Sequence, residues 1–179
     1  MRLADSLPRA AADRLAKEKR HLLRELEQSG GLTNTDDLIR LHQLQSAKIE
    51  AILNHCHGEC ALRRPEAAAI VVSTLMNFDR VRYVLQAYCV MPNHVHAAFT
   101  PLPGHQVQKI LGTWKRFTGR RVNALLGNRG AFWQEESYDH LIRNAADFDH
   151  AIRYILANPG EAGLRDWPWA YLSPELRFG

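Results

Sequence analysis

Residues 90–101 read VMPNHVHAAFTP, which places His94 and His96 one residue apart inside an apolar run. In a strand, residues i and i+2 point to the same face. Both imidazoles would then stand side by side, with Val95 turned to the core. Two neutral imidazoles a few Å apart begin a divalent-metal site that still needs a third ligand. The bland alternative is a pair of surface or hydrogen-bonded histidines. Tyr154 and Asn158, four residues apart in DFDHAIRYILA and the Asn that follows it, offer a partner. On a helix they share one face, while Phe148, Ile152 and Ile155 form a separate apolar stripe. An Asn carbonyl oxygen is a hard ligand suited to Mg²⁺ or Mn²⁺. A phenol beside a metal becomes a nucleophile when its proton is lost. Here the bland alternative is a half-buried aromatic followed by a helix C-cap.

A second set of residues suits phosphate binding. On a helix over 105–127, Leu111, Trp114, Thr118, Val122 and Leu125 fall on one side at about 100° per residue. Lys109, Arg116, Arg120 and Asn123 fall on the other, flanked by Lys115 and Arg121. A basic face with no acid fits a nucleic-acid backbone, although a solvated helix face is common too. His55-Cys56-His57 with Cys60 has the composition of a zinc cluster. It lacks a second spaced pair, and ligands crowded this closely rarely complete a tetrahedron. Cys60 reads better as a small buried hydrophobe before Pro65.

The elements that must position these residues alternate in type. Residues 8–29 read as a charged helix ending at Gly30-Gly31. Thr35-Asp36-Asp37 could cap a second helix through residues 38–53. HCHGEC reads as a loop. Pro65 starts a third helix over PEAAAIVVSTLMNF. Residues 82–91 predict a strand, Pro92-Asn93 a turn, and HVHAAFT an antiparallel second strand. SYDHLIR, 137–143, predicts a short strand or extended segment. The helix over 147–157 should stop at Asn158-Pro159. The tail DWPWAYLSPELRFG predicts irregular packing. Helices mixed with antiparallel strands make an α+β domain.

Composition sets outer bounds. The 179 residues can bury a sizeable core. Lys plus Arg exceed Asp plus Glu, 23 against 19, for a net charge of +4. This modest excess is compatible with nucleic acid. No apolar run approaches the roughly 20 residues of a membrane span, and the first twenty residues lack the apolar core of a secretory signal. Three cysteines do not suggest a disulfide framework. The expectation is a cytoplasmic protein with reduced thiols and no membrane partner.

Taken in order, AYCVMPNHVH, WKRFTGRRVN, FWQEESYDHLIR and YILANPGEAGL resemble the REP-associated tyrosine transposases, single-tyrosine members of the HUH endonucleases. The resemblance covers about residues 60–165 and the N-terminal third more loosely. It implies a ferredoxin-like antiparallel sheet with packed helices and the histidine strand near its centre. Residues 61–179 would be the catalytic core, with 1–60 a helical extension or insertion packed on it. It implies His94 and His96 as the metal pair, Tyr154 as nucleophile and Asn158 as the third ligand, with Tyr138 in SYDH as the competing tyrosine. The cofactor would be Mg²⁺ or Mn²⁺. The implied activity is cleavage and rejoining of single-stranded DNA through a 5′-phosphotyrosine, next to palindromic hairpin repeats, by a monomer or homodimer. Lys109, Lys115, Arg116, Arg120 and Arg121 would contact DNA. Two departures stand out. The segment resembling RLADSLP begins at the first residues, so the strand that precedes it in the family is expected to be missing, leaving a hairpin-binding chain that does not cut as the alternative. Gly160-Glu161 replaces an apolar–basic pair, and Glu161 puts an acid near a DNA surface.

Overall fold

The strand with the most apolar sequence becomes the middle of the sheet. In the computed structural model, which describes residues 1–28, 48–135 and 141–176, β1 (Tyr83–Val90) lies between β2 (Val95–Pro101) and β3 (Ala170–Leu172). Both pairings are antiparallel, as expected for β1 and β2. The helices are α1 (Arg9–Gln28), α2 (Pro65–Met76), α3 (Val107–Leu126) and α4 (Ala145–Glu161), and residues 48–54 are also helical. The protein is α+β, as its alternating patterns predicted.

By its contacts the chain divides into two units, Met1–Ala4 with Cys60–Gly179, and Asp5–Glu59. In the smaller unit, Lys48 Nζ contacts Glu18 Oε2 of α1 at 2.6 Å. The Glu59 amide donates to Asp5 Oδ2 at 2.7 Å. Gly58 between them has φ +85, and a Cβ there would meet Asp5 at 2.6 Å, so only glycine fits.

In the larger unit a β-bulge decides which face each residue of β1 serves. The register slips between Leu85 and Ala87. Before it, Tyr83 and Leu85 point to the main core. After it, Tyr88 and Val90 do, while Ala87, Cys89 and Met91 point the other way. The main core gathers Val71 and Leu75 of α2, Ile110, Trp114 and Val122 of α3, and Val95 of β2. The opposite face takes Ile152 and Ile155 of α4 against Ala87, Cys89, Met91 and Ala98. A polar chain ties the main core together. Tyr83 Oη donates to the Leu75 carbonyl at 2.7 Å and accepts from Trp114 Nε1 at 3.0 Å. Trp133 Nε1 donates to Thr118 Oγ1 at 2.8 Å, which donates to the Trp114 carbonyl at 2.6 Å.

Several expectations change. The tail is not wholly irregular, because residues 170–172 form β3 along the free side of β1. The helix does not stop at Asn158-Pro159. α4 runs through Pro159 to Glu161, and its C-cap is Ala162, whose amide bonds to the Asn158 carbonyl. Proline in this last turn removes a single i→i−4 amide bond, and the helix continues past it. The histidine strand is not central: β1 is, and β2 lies at one side of the order. Residues 1–4 cover the start of β2, with Met1 N and O bonded to Val95 O and N at 2.7 Å. Their other side bonds to Phe132 and Gln134. Cys56 and Cys60 are each in disulfide linkage, contrary to the reduced thiols expected, while Cys89 is a free, buried thiol. On α3, Ile110 and Gly119 are buried, whereas Leu125 is 41% exposed and outside the stripe. Most of the expected 38–53 helix, its cap at 35–37, and Tyr138 lie outside the described residues; 141–143 has no regular structure.

Candidate active site

Strand parity puts both histidines on the α4 side of the sheet. Val95, Ala97 and Phe99 of β2 face the main core, so His94, His96 and Ala98 face the other way. The two rings meet edge to face, 4.7 Å between centroids at 86°. The first expectation therefore holds geometrically, with His94 only 2% exposed and His96 half-buried. Burial this deep excludes the reading of His94 as a surface histidine.

The neighbours of the pair explain how α4 comes close. Its stripe of Ile152 and Ile155 rests on Ala87, Cys89 and Ala98. Small side chains there let a helix approach the sheet. Burial with no compensating charge pushes the Cys89 thiol up to about 12, so it stays neutral and serves as packing. Off this stripe, Tyr154 sets its ring edge to face against His96, 5.4 Å between centroids at 83°. Asn158, one turn later and 1% exposed, directs Nδ2 toward the Tyr154 carbonyl at 3.4 Å. Because α4 continues past Pro159, Asn158 is an interior residue of the helix and not its cap.

Two observations bear on a metal. Asn158 Oδ1 is buried and accepts no hydrogen bond among the described residues, an arrangement that fits an oxygen ligand to a hard divalent cation. His94 Nδ1 lies 2.8 Å from Asn93 Oδ1, and Asn93 is 1% exposed. The amide oxygen accepts, so Nδ1 carries the proton and Nε2 carries the lone pair. A polar partner fixing the ring of a metal-binding histidine is the usual arrangement. Sequence reading passed over Asn93 as turn chemistry, although its position next to His94 was a signal.

The turn carrying Asn93 is held at its base. The Val90 amide donates to the Trp169 carbonyl at 2.8 Å, and Trp167 Nε1 donates to the Val90 carbonyl at 2.8 Å. Met91 N bonds to the His94 carbonyl at 2.8 Å across the turn.

The cations of α3 are not brought to this site. α3 packs on the opposite face, where Trp114 meets Phe99 at 4.8 Å and Tyr83 at 5.1 Å between centroids. Lys109, Arg116, Arg120 and Arg121 are exposed there. Lys115 instead donates to the carbonyls of Gln134 and Glu135, both at 2.9 Å.

Residues 70–158 match the family described as transposase IS200 like. The resemblance carried by the four motifs is borne out more closely by the REP-associated tyrosine transposase of Escherichia coli strain K12. It is 29% identical over 102 residues, covering 54% of this chain and 59% of that protein. The chain thus spans about three fifths of the length of this relative. A solved REP-associated tyrosine transposase bound to a REP hairpin is 25% identical, with a TM-score of 0.46 over 56% of this chain and 62% of that one.

Proposed function

We propose that the protein cleaves and rejoins single-stranded DNA beside hairpin repeats, using Tyr154 as nucleophile. The observation that carries this reading is the meeting of Tyr154 with His96, ring against ring, with Asn158 one turn on. The family match and the REP-associated relative support it.

In this reading His94, His96 and Asn158 hold Mg²⁺ or Mn²⁺, which when bound polarises the phosphoryl oxygens and offsets charge in the transition state. Asn93 keeps His94 in the tautomer that offers Nε2. The Tyr154 oxygen attacks phosphorus in line and the P–O3′ bond breaks. The proton lost by the phenol is matched by one gained by the departing 3′-hydroxyl. The 5′-phosphotyrosine keeps the phosphodiester energy, so rejoining needs no ATP. Tyrosine and histidines meet within one chain, which supports action as a monomer. We place it in the cytoplasm, where a transposase meets its DNA; among the described residues, no helix is long and apolar enough to cross a membrane.

The test is incubation with single-stranded hairpin DNA from regions flanking the gene, plus Mn²⁺ or Mg²⁺, read on a denaturing gel. A covalent adduct lost in Tyr154→Phe is expected. An adduct surviving that change would move the nucleophile elsewhere, Tyr138 first. Tight hairpin binding without any adduct would replace the proposal by a binding protein that does not cut.

A further inference from the structure

The face of the sheet opposite the histidines carries a basic track that the proposed chemistry does not use. Between α3 and residues 128–135 lies a groove of about 760 Å³, lined among others by Gly112, Arg116, Arg120, Asn123 and Phe132. A second cleft of about 400 Å³ continues past the start of α3, lined by Arg82, His105 and Lys109. Gly112 and Arg116 line both, so the two run end to end. From Lys109 to Asn123 the track follows α3 for about 21 Å.

Its chemistry is one-signed along the helix. α3 has five cations and no acid, and the acid among the groove's lining residues is Glu135. Lys115 is drawn to the carbonyls of 134 and 135, which leaves Arg116 and Arg120 as the cations of the wider groove. Guanidinium groups bind phosphate oxygens in bidentate fashion. Phe132 contributes an aromatic wall, and the absence of a side chain at Gly112 opens the junction. Its volume lies in the range of small-ligand pockets, room for a nucleotide at a time. Aromatic and Arg surfaces beside a cationic groove are the usual means of holding unpaired nucleotides.

We propose that this track binds a single-stranded segment of the DNA substrate, on the face of the sheet away from the scissile phosphate. The assignment rests on the DNA-processing reading above and adds a second contact region to it. The strand lies with phosphates on Arg116, Arg120 and Lys109 and a base against Phe132. A hairpin substrate is then held at two places, and the segment in the groove adds affinity that depends on salt but not on the metal.

The test is fluorescence anisotropy of the full chain with a labelled, unstructured 12-nucleotide oligo(dT), titrated over salt without divalent metal. Each phosphate contact on a single strand contributes about 0.7 to the slope of log affinity against log salt. The double change Arg116→Ala with Arg120→Ala should lower that slope by about 1.4, or about 25-fold in affinity at 0.1 M relative to its extrapolation to 1 M. Arg165→Ala, on an exposed residue away from the groove, should leave the slope unchanged. A Cβ at Gly112 meets nothing within 4 Å, so a side chain can start there without a clash. Gly112→Glu should weaken oligo(dT) binding and Gly112→Lys should not. Equal binding by both, or an unchanged slope in the double variant, overturns the groove while leaving a Tyr154-dependent adduct intact. An equal loss on a 12-base-pair duplex overturns the single-strand assignment. Polyglutamate bound with the same dependence on Arg116 and Arg120 makes it an acidic-peptide groove instead. Failure of the folded protein to bind any DNA or to form the adduct overturns the underlying reading as well.

Discussion

Asn93→Ala separates a metal site from a cluster of buried polar side chains. The substitution removes one acceptor, Oδ1, 2.8 Å from His94 Nδ1, at a position 1% exposed. The backbone at 93 keeps its bond from the Leu3 amide. Two losses follow. A buried N–H left without its partner destabilises the fold by about 1–3 kcal/mol. His94 also becomes free to rotate or to carry its proton on Nε2, the atom a metal would need. Removing such a supporting partner typically weakens metal affinity about 10- to 100-fold, or about 1.4–2.7 kcal/mol. The assay is titration calorimetry with Mn²⁺ at a temperature where a thermal melt shows the variant folded. Asn93→Asp keeps an acceptor in place and should bind Mn²⁺ at least as well as Asn93→Ala. An affinity in Asn93→Ala indistinguishable from the native chain would refute the reasoning, since His94 would then bind metal without an oriented ring or not at all.

Four further outcomes follow from the packing. Gly112→Ala should stabilise the protein by about 0.5–1 kcal/mol, because its Cβ meets open space in a helix. Gly119→Ala should destabilise it, since its Cβ would lie 3.3 Å from Phe132 Cβ, whose backbone is tied to Ala4; thermal melts read both. Tyr83→Phe should cost about 1–3 kcal/mol in urea unfolding, by leaving the Trp114 indole N–H buried without its acceptor. Burial raises the Cys89 thiol to about 12 and also raises the Tyr83 and Tyr88 phenols. Above about pH 9 the unfolded chain releases these protons while the native one retains them, so stability is full below that pH and falls as pH rises. Cys89→Ala should flatten part of that decline.

The elements nearest the site were legible in sequence because their signals were local. The apolar run at 83–90, the Pro-Asn turn and the two-residue period of HVHAAF place β1, β2 and the histidine face without knowledge of the rest. Gly127, at φ 69, ends α3 where a glycine in the left-handed region should. The four-residue spacing of Tyr154 and Asn158 survives, although the helix does not end between them. What could not be read depended on distant partners. β3 has three residues between two prolines and no period of its own, and exists because β1 offers a free edge. The sheet face served by Ala87 depends on a bulge at Gln86 that no turn residue announces. The placement of α3 away from the histidines follows from Trp114 against Phe99 and Tyr83. No helical wheel reports which side of a sheet a helix will choose.

The two bonds that hold Val90 link it to tryptophans 77 and 79 residues later. During synthesis the hairpin that carries both histidines is therefore complete long before the segment that closes its other flank. In that interval β1 offers a row of unpaired amides and carbonyls to any passing extended chain. Binding by residues 167–172 ends that exposure and steadies the turn beside His94 in the same step. A nascent chain lacking them has its histidines but neither a sealed sheet nor a fixed site.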